Sequence, residues 1–158
     1  MLRAVWQAAT SGGIVSGGST LTMQTARLLE DRHERTLDRK LVEMVHALQL
    51  ERRLTKDEIL ERYLALAPFG GNLEGVRAAS LAYFGREPAR LTLGQAALLV
   101  ALPQAPEGRR PDRHPEAARA AGDRVLDRVA AAGAISAEDA EEAKRERVPT
   151  ARRPVPML

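Results

Sequence analysis

An all-α fold is what this sequence predicts, and three observations predict it. Ala, Leu, Glu and Arg, all good helix formers, dominate the composition. Apolar residues recur at helical rather than alternating spacing. Two Thr-x-x-Glu/Gln boxes, Thr55 to Glu58 and Thr92 to Gln95, mark helix starts. At 158 residues the chain can bury a real core, and with aromatics at only 3% that core must be Leu, Ala and Val.

The elements follow in order. Leu2 to Thr10 reads as the end of a helix, closed by Ser11-Gly12-Gly13, so the chain enters at Met1 as if already inside an element. A Gly17-Gly18 turn with Ser19 as cap opens a helix from about Thr20 to Leu29. Glu30 to Arg35 is a charged connection. Thr36 caps the next helix, on which Leu37, Leu41, Met44, Val45 and Leu48 form an apolar stripe of helical period. Thr55 opens a helix carrying Ile59, Leu60, Tyr63, Leu64 and Ala67, broken by Pro68-Phe-Gly-Gly-Asn72.

Leu73 to Phe84 is an Ala-rich helix with Gly85 as its C-terminal cap. Leu93 to Leu102 is nearly all apolar, hence buried, and Pro103 ends it. A polar loop from Pro106 to His114 leads to a helix from Pro115 to Ala132, stopped by Gly133. Ser136 caps a last charged helix to about Arg147. Residues 148–158, with Pro149, Pro154 and Pro156, read as a linker.

Composition narrows the chemistry. There is no cysteine, which removes disulfides, thiolate metal sites and a Cys nucleophile. No apolar run approaches the ~18 residues of a membrane span, and Met1 to Trp6 is no signal peptide. Net charge is +3, and of the 24 basic residues only Lys40, Lys56 and Lys144 are lysines. Arginine is the better bidentate partner for phosphate, so the excess suits nucleic acid, anionic lipid or a phosphorylated substrate without choosing among them.

The stretch from Gly17 to Gln24 is the hardest to explain as packing. Ser19, Thr20, Thr22 and Gln24 gather three hydroxyls and an amide at a helix N-terminus, where free N–H groups and a partial positive charge suit an anion. Arg27, Arg32, Arg35, Arg39 and Lys40 follow. Glu43, one turn beyond Arg39 and Lys40, can hold a metal–phosphate or steer a proton; on spacing alone the reading as a surface helical salt bridge is the stronger one. Glu43 and His46 make one Glu-x-x-His pair, but a di-iron bundle needs a second, which is lacking. His33 and His114 fall in charged loops. Ser19 has no triad context, and no Lys precedes it as in a phosphate-binding P-loop.

Taken together, these segments resemble the peptidoglycan glycosyltransferase domain (glycosyltransferase family 51) of class A penicillin-binding proteins, with features of the 1C type. Gly18-Ser-Thr-Leu-Thr-Met-Gln24 is similar to the family's G-S-T-x-T-x-Q motif, and Arg39-Lys-Leu-Val-Glu43 to R-K-x-x-E. Lys56-Asp-Glu-Ile-Leu-Glu-Arg-Tyr-Leu64 is similar to K-x-x-I-L-x-x-Y-L. Pro68-Phe-Gly-Gly-Asn-Leu-Glu-Gly75, Ala82-Tyr-Phe-Gly85 and Gln95-Ala-Ala-Leu-Leu99 continue in the family's order.

The resemblance implies a lysozyme-like helical domain over residues 1–147 that polymerises lipid II onto a growing glycan strand and releases undecaprenyl diphosphate. It implies Glu43 as the catalytic carboxylate that helps the diphosphate, with a divalent metal, Mg or Mn, as a cofactor held there through the diphosphate. Ser19, Thr20, Gln24, Arg27, Arg35, Arg39, Lys40, Lys56 and Asn72 are the implied substrate-binding residues. Its partners are lipid II, the glycan strand, a membrane anchor and a transpeptidase domain, at the periplasmic face of the bacterial inner membrane; nucleic acid is not among them.

Three departures qualify this. The family's first motif, E-D-x-x-F-x-x-H-x-G, with its general base, is not in this sequence, so these residues alone are expected to be inactive or nearly so. Met23 stands where the second motif has another Gln, and Ala65 where the fourth has Asn. The alternatives are a lysozyme-like glycan hydrolase, which needs no cation series, and a non-catalytic lipid II or glycan-binding module. A helical nucleic-acid binder is the least favoured.

Overall fold

The computed structural model describes residues 21–29 and 37–154, with the backbone alone for 37–40. The expected helix from Leu2, the Gly17-Gly18 turn, the Ser19 and Thr36 caps and the charged connection lie outside them. The described residues divide into two compact units at Ala67–Pro68.

In the N-terminal unit, α1 (Leu21–Leu29) packs on both α2 (Leu37–Arg53) and α3 (Lys56–Leu66). Its inner face is Thr22, Met23, Thr25 and Ala26, and α3 buries Ile59, Leu60 and Tyr63. The inner Thr25 hydroxyl donates to the Leu21 carbonyl at 2.9 Å, which satisfies it inside α1. Thr55 caps α3 as expected: its side chain accepts from the Glu58 N–H, and Glu58 Oε2 accepts from the Thr55 N–H at 2.7 Å.

The stripe on α2 behaves differently from an ordinary core face. Ala47 is buried, but Leu41 is 64% exposed and Leu48 61%, and Val42, Met44 and Val45 are also open to solvent. Helical period marks which residues share a face; it does not supply a partner for that face. Burying such side chains would stabilise the unit by roughly 1.5–3 kcal/mol each.

The C-terminal unit is built around α5 (Leu93–Ala101), against which α4 (Val76–Phe84), α6 (Pro115–Ala131) and α7 (Ala137–Lys144) pack. Single 3₁₀ turns cover Pro88–Arg90 and Leu102–Gln104, the latter holding the expected stop at Pro103. The core is mostly small and branched aliphatics, Ala96, Ala97, Leu98, Leu99, Leu102, Ala118, Ala121, Leu126 and Val129. Phe69, Tyr83 and Phe84 are buried with them, so aromatics also go inside and the core is not Leu, Ala and Val alone. No strand forms among the described residues; the nearest approach is an isolated antiparallel bridge between Pro68 and Glu74.

Local signals set the helix ends. Thr92 with Gln95 makes the second capping box, and Ser136 with Asp139 makes a third, whose Asp replaces the usual Glu. Gly85 terminates α4 at φ +66°. α4 begins three residues later than expected because Leu73 is held back in the turn, its N–H on the Gly70 carbonyl at 3.3 Å and its carbonyl on the Phe69 N–H at 2.9 Å. Gly94 is required where α5 starts, since a Cβ there would come within 2.7 Å of the Ala143 carbonyl.

Two segments expected to be loose are held. Within 106–114, Arg110 and Pro111 are buried, which is tolerable because Asp112 grips the guanidinium at both ends, Nη2 to Oδ2 at 2.7 Å and Nε to Oδ1 at 3.2 Å. After α7, the Glu146 carboxylate turns back to cap α5, accepting from Thr92 Oγ1 and from the Gly94 N–H at 3.1 Å. Arg119 Nη1 donates to the Lys144 carbonyl at 2.9 Å. Further on, the Arg153 N–H donates to the Ala82 carbonyl at 2.7 Å.

Candidate active site

The predicted site residues that are described fall on α1, α2, α3 and the Phe69–Asn72 turn. Gln24 and Arg27 lie one turn apart on the outer face of α1, opposite Thr22, Thr25 and Ala26; Gln24 is half-buried and Arg27 exposed. Beneath them, burial pushes the Tyr63 phenol well above its ordinary range, with the Arg27 charge pulling it partly back. Tyr63 is therefore a neutral wall beside a cation.

Glu43 sits half-exposed on α2, one turn after Arg39 and Lys40 along the backbone. His46 follows three positions on, also half-exposed. Among the described residues no three His, Cys, Asp or Glu side chains gather into a metal cluster. One carboxylate fits only a hard cation that takes its remaining ligands from phosphate and water, which is how Mg²⁺ binds at phosphoryl sites.

Lys56 opens α3, and its ammonium donates to Glu51 Oε1 at 2.7 Å. The same oxygen accepts from Thr22 Oγ1 at 2.8 Å. The Lys56 ammonium, then the Thr22 hydroxyl, hold the Glu51 carboxyl below the usual carboxylate range. Three helices thus meet at one carboxylate, between α1, the last turn of α2 and the first turn of α3. This meeting point was not legible in the sequence, because Glu51-Arg-Arg53 reads as an ordinary solvated helix end.

Asn72 belongs to the C-terminal unit. It lies in a turn that carries Gly70 at φ +96° and Gly71 at φ +60°, and its Oδ1 accepts from Arg152 Nη1 at 3.4 Å. Around that turn Arg152 Nη2 reaches the Gly70 carbonyl at 2.7 Å and the Tyr83 hydroxyl at 3.2 Å. The Tyr83 hydroxyl donates to the Phe69 carbonyl at 2.9 Å, and the Glu107 carboxylate accepts from the Gly71 N–H. Ser19, Thr20 and Arg35 lie outside the described residues. A shallow cleft lined by Gln95, Arg119, Asp123, Lys144 and Glu146 contains none of the predicted residues, and several of its polar groups are engaged in the helix caps and in the Lys144 pairs with Asp127 and Glu141.

With this geometry in hand, comparison with known proteins decides the family. The transglycosylase family model matches residues 1–130. The chain belongs to the transglycosylase family.

Its relatives agree. Penicillin-binding protein 1C of Escherichia coli (strain K12) is 53% identical over 156 residues, 99% of this chain and 20% of that protein. Penicillin-binding protein 1A of Aquifex aeolicus (strain VF5) is 44% identical over 133 residues, 84% of this chain and 18% of that one. The crystal structure of penicillin-binding protein 1A from Haemophilus influenzae superposes with a TM-score of 0.60 at 25% identity, over 89% of this chain and 18% of that chain. The chain thus spans about a fifth of the length of these three proteins, and its helical fold is that of their transglycosylase part.

Proposed function

We propose that this chain is the peptidoglycan glycosyltransferase part of a class A penicillin-binding protein, polymerising lipid II onto a growing glycan strand with release of undecaprenyl diphosphate. The observation that carries the reading is the packing of α1, bearing Thr22 and Gln24 from the end of the G-S-T-x-T-x-Q motif, against both α2 with Glu43 and α3 with Lys56. Family membership supplies the rest.

In this reading the donor's diphosphate lies against the start of α1, with Ser19, Thr20, Gln24 and Arg27 as donors and Arg35, Arg39, Lys40 and Lys56 as neighbouring cations. Charge builds on the diphosphate as the anomeric bond breaks, and fixed donors aimed at that charge lower the barrier by several kcal/mol together. Glu43 orients the diphosphate. A divalent metal, Mg or Mn, between Glu43 and the diphosphate would add Lewis-acid neutralisation of the leaving group. Asn72 is a further substrate-binding residue in this reading.

The E-D-x-x-F-x-x-H-x-G general base is not among these residues, so the 158-residue chain by itself is proposed to bind lipid II without turning it over. The working place is the periplasmic face of the bacterial inner membrane. The exposed Leu41, Val42, Met44, Val45 and Leu48 favour it, since a lipid interface would cover these apolar side chains. Among the described residues no helix is long and apolar enough to cross a membrane.

Lipid II polymerisation tests the reading, measured for this chain and for a version extended upstream through the first motif. Glycan made by the extended form, and lost in Glu43→Gln, is the expected result. Failure of both forms to turn over lipid II or bind its diphosphate would leave a binding or hydrolytic role for the fold instead.

A further inference from the structure

Glu51 stands where a carboxylate is electrostatically misplaced for its own helix. It lies in the last turn of α2, whose C-terminal dipole disfavours negative charge. Its Oε1 nevertheless takes both the Thr22 hydroxyl at 2.8 Å and the Lys56 ammonium at 2.7 Å. Thr22 is 3% exposed and spends its one O–H there. The Lys56 side chain is 78% exposed, so two of its three N–H groups remain available beyond Glu51.

An exposed Lys–Glu pair holds its partners weakly, by about 0–1 kcal/mol. Here the buried Thr22 hydroxyl anchors the carboxylate, and the anchored carboxylate in turn fixes the ammonium. We infer that Glu51 is a positioning residue for the diphosphate site, a shared acceptor that sets the first turn of α1 and the Lys56 ammonium in one geometry toward one anion. The inference rests on the glycosyltransferase reading for the identity of that anion.

Electrostatics gives the test a sign. Removing a negative charge beside Lys56 raises the local positive potential, so a passive Glu51 predicts that Glu51→Gln binds a diphosphate equally well or more tightly. A positioning Glu51 predicts the reverse. The probe is farnesyl diphosphate, titrated calorimetrically into the chain at fixed ionic strength, with melting curves for every variant.

Glu51→Gln and Thr22→Val should each weaken binding about tenfold, the order of one charged hydrogen bond, while Thr22→Ser keeps it within about twofold. In the upstream-extended enzyme the same variants should raise KM for lipid II more than they lower kcat. Wild-type binding with Glu51→Gln equal or tighter overturns the inference and leaves the glycosyltransferase reading standing. Loss in Glu51→Gln without loss in Thr22→Val also overturns it, because the shared acceptor is then irrelevant. Absence of wild-type binding overturns both.

Discussion

The Arg152 guanidinium donates to the Gly70 carbonyl at 2.7 Å, closing a contact between residues 82 positions apart. The same Nη2 meets the Tyr83 hydroxyl, Nε lies 3.4 Å from Asp112 Oδ2, and the guanidinium stands 5.4 Å over the Tyr83 ring. That Nε contact is an ion pair without hydrogen-bond geometry. One side chain from the Pro-rich tail therefore ties together the Phe69–Asn72 turn, α4 and the Arg110–Asp112 loop.

Arg152→Ala should destabilise the C-terminal unit by about 2 kcal/mol, because it removes the guanidinium's bonds to the Gly70 carbonyl and the Tyr83 hydroxyl together with its ion pair to Asp112. Arg152→Lys should recover only part, since an ammonium cannot reproduce the planar fork. Denaturant unfolding measures both. A change under about 0.5 kcal/mol for Arg152→Ala, the range of ordinary surface substitutions, would show the tail is not part of the fold.

Gly70→Ala is expected to cost more, roughly 2–4 kcal/mol. Its φ of +96° is unfavourable for any side chain, and a Cβ would lie 2.7 Å from the Pro106 carbonyl and 2.4 Å from Arg110 Cγ. Thermal unfolding of the variant tests this, and an unchanged midpoint would mean the turn adopts another conformation.

The pH dependence has a definite sign. The Arg110 guanidinium, joined by Arg152, holds the Asp112 carboxyl below its ordinary value. A folded-state pKa below the unfolded one means that protonation favours unfolding. The Asp112 contribution is thus fully present above the unfolded pKa, about 3.9, and is lost as pH falls through the lower folded value. The stability difference between wild type and Asp112→Asn should shrink on acidification below about pH 4 and stay flat from about pH 5 to 8. A difference that grows on acidification would reverse the assignment.

On α2, Val45→Asp should leave stability within about 0.5 kcal/mol, because the side chain is 53% exposed. It should reduce cosedimentation with anionic lipid vesicles severalfold, since a carboxylate would meet both an apolar and an anionic surface. Unchanged vesicle binding together with lower stability would place the stripe against protein.

Much of the fold was legible because its signals are local. Thr55 with Glu58 and Thr92 with Gln95 act across three residues, and α3 and α5 start at those caps. Gly85 ends α4 by its own left-handed φ. The late start of α4 was not legible, because it depends on Leu73 bonding to Gly70 and Phe69 in a turn whose glycines could as well have led straight into the helix. Of the candidate site, Gln24, Arg27, Glu43 and Lys56 could be named from the motifs, whereas the meeting of Thr22 and Lys56 at Glu51 could not, because a carboxylate followed by two arginines gives no sign of where it reaches.

The sequence by itself determined the helices, their caps, the order of the motifs and, through them, the family. Periodicity and capping are interactions between residues three or four apart, so they are written along the chain. Only the tertiary structure decided that the α2 stripe faces solvent, that Thr22 and Lys56 share Glu51, and that Arg152 fills the Gly70 turn. Those pairings join residues as far as 29 and 82 positions apart. Many carboxylates and cations in this chain could have paired, and helix packing alone selects which ones come within hydrogen-bond reach.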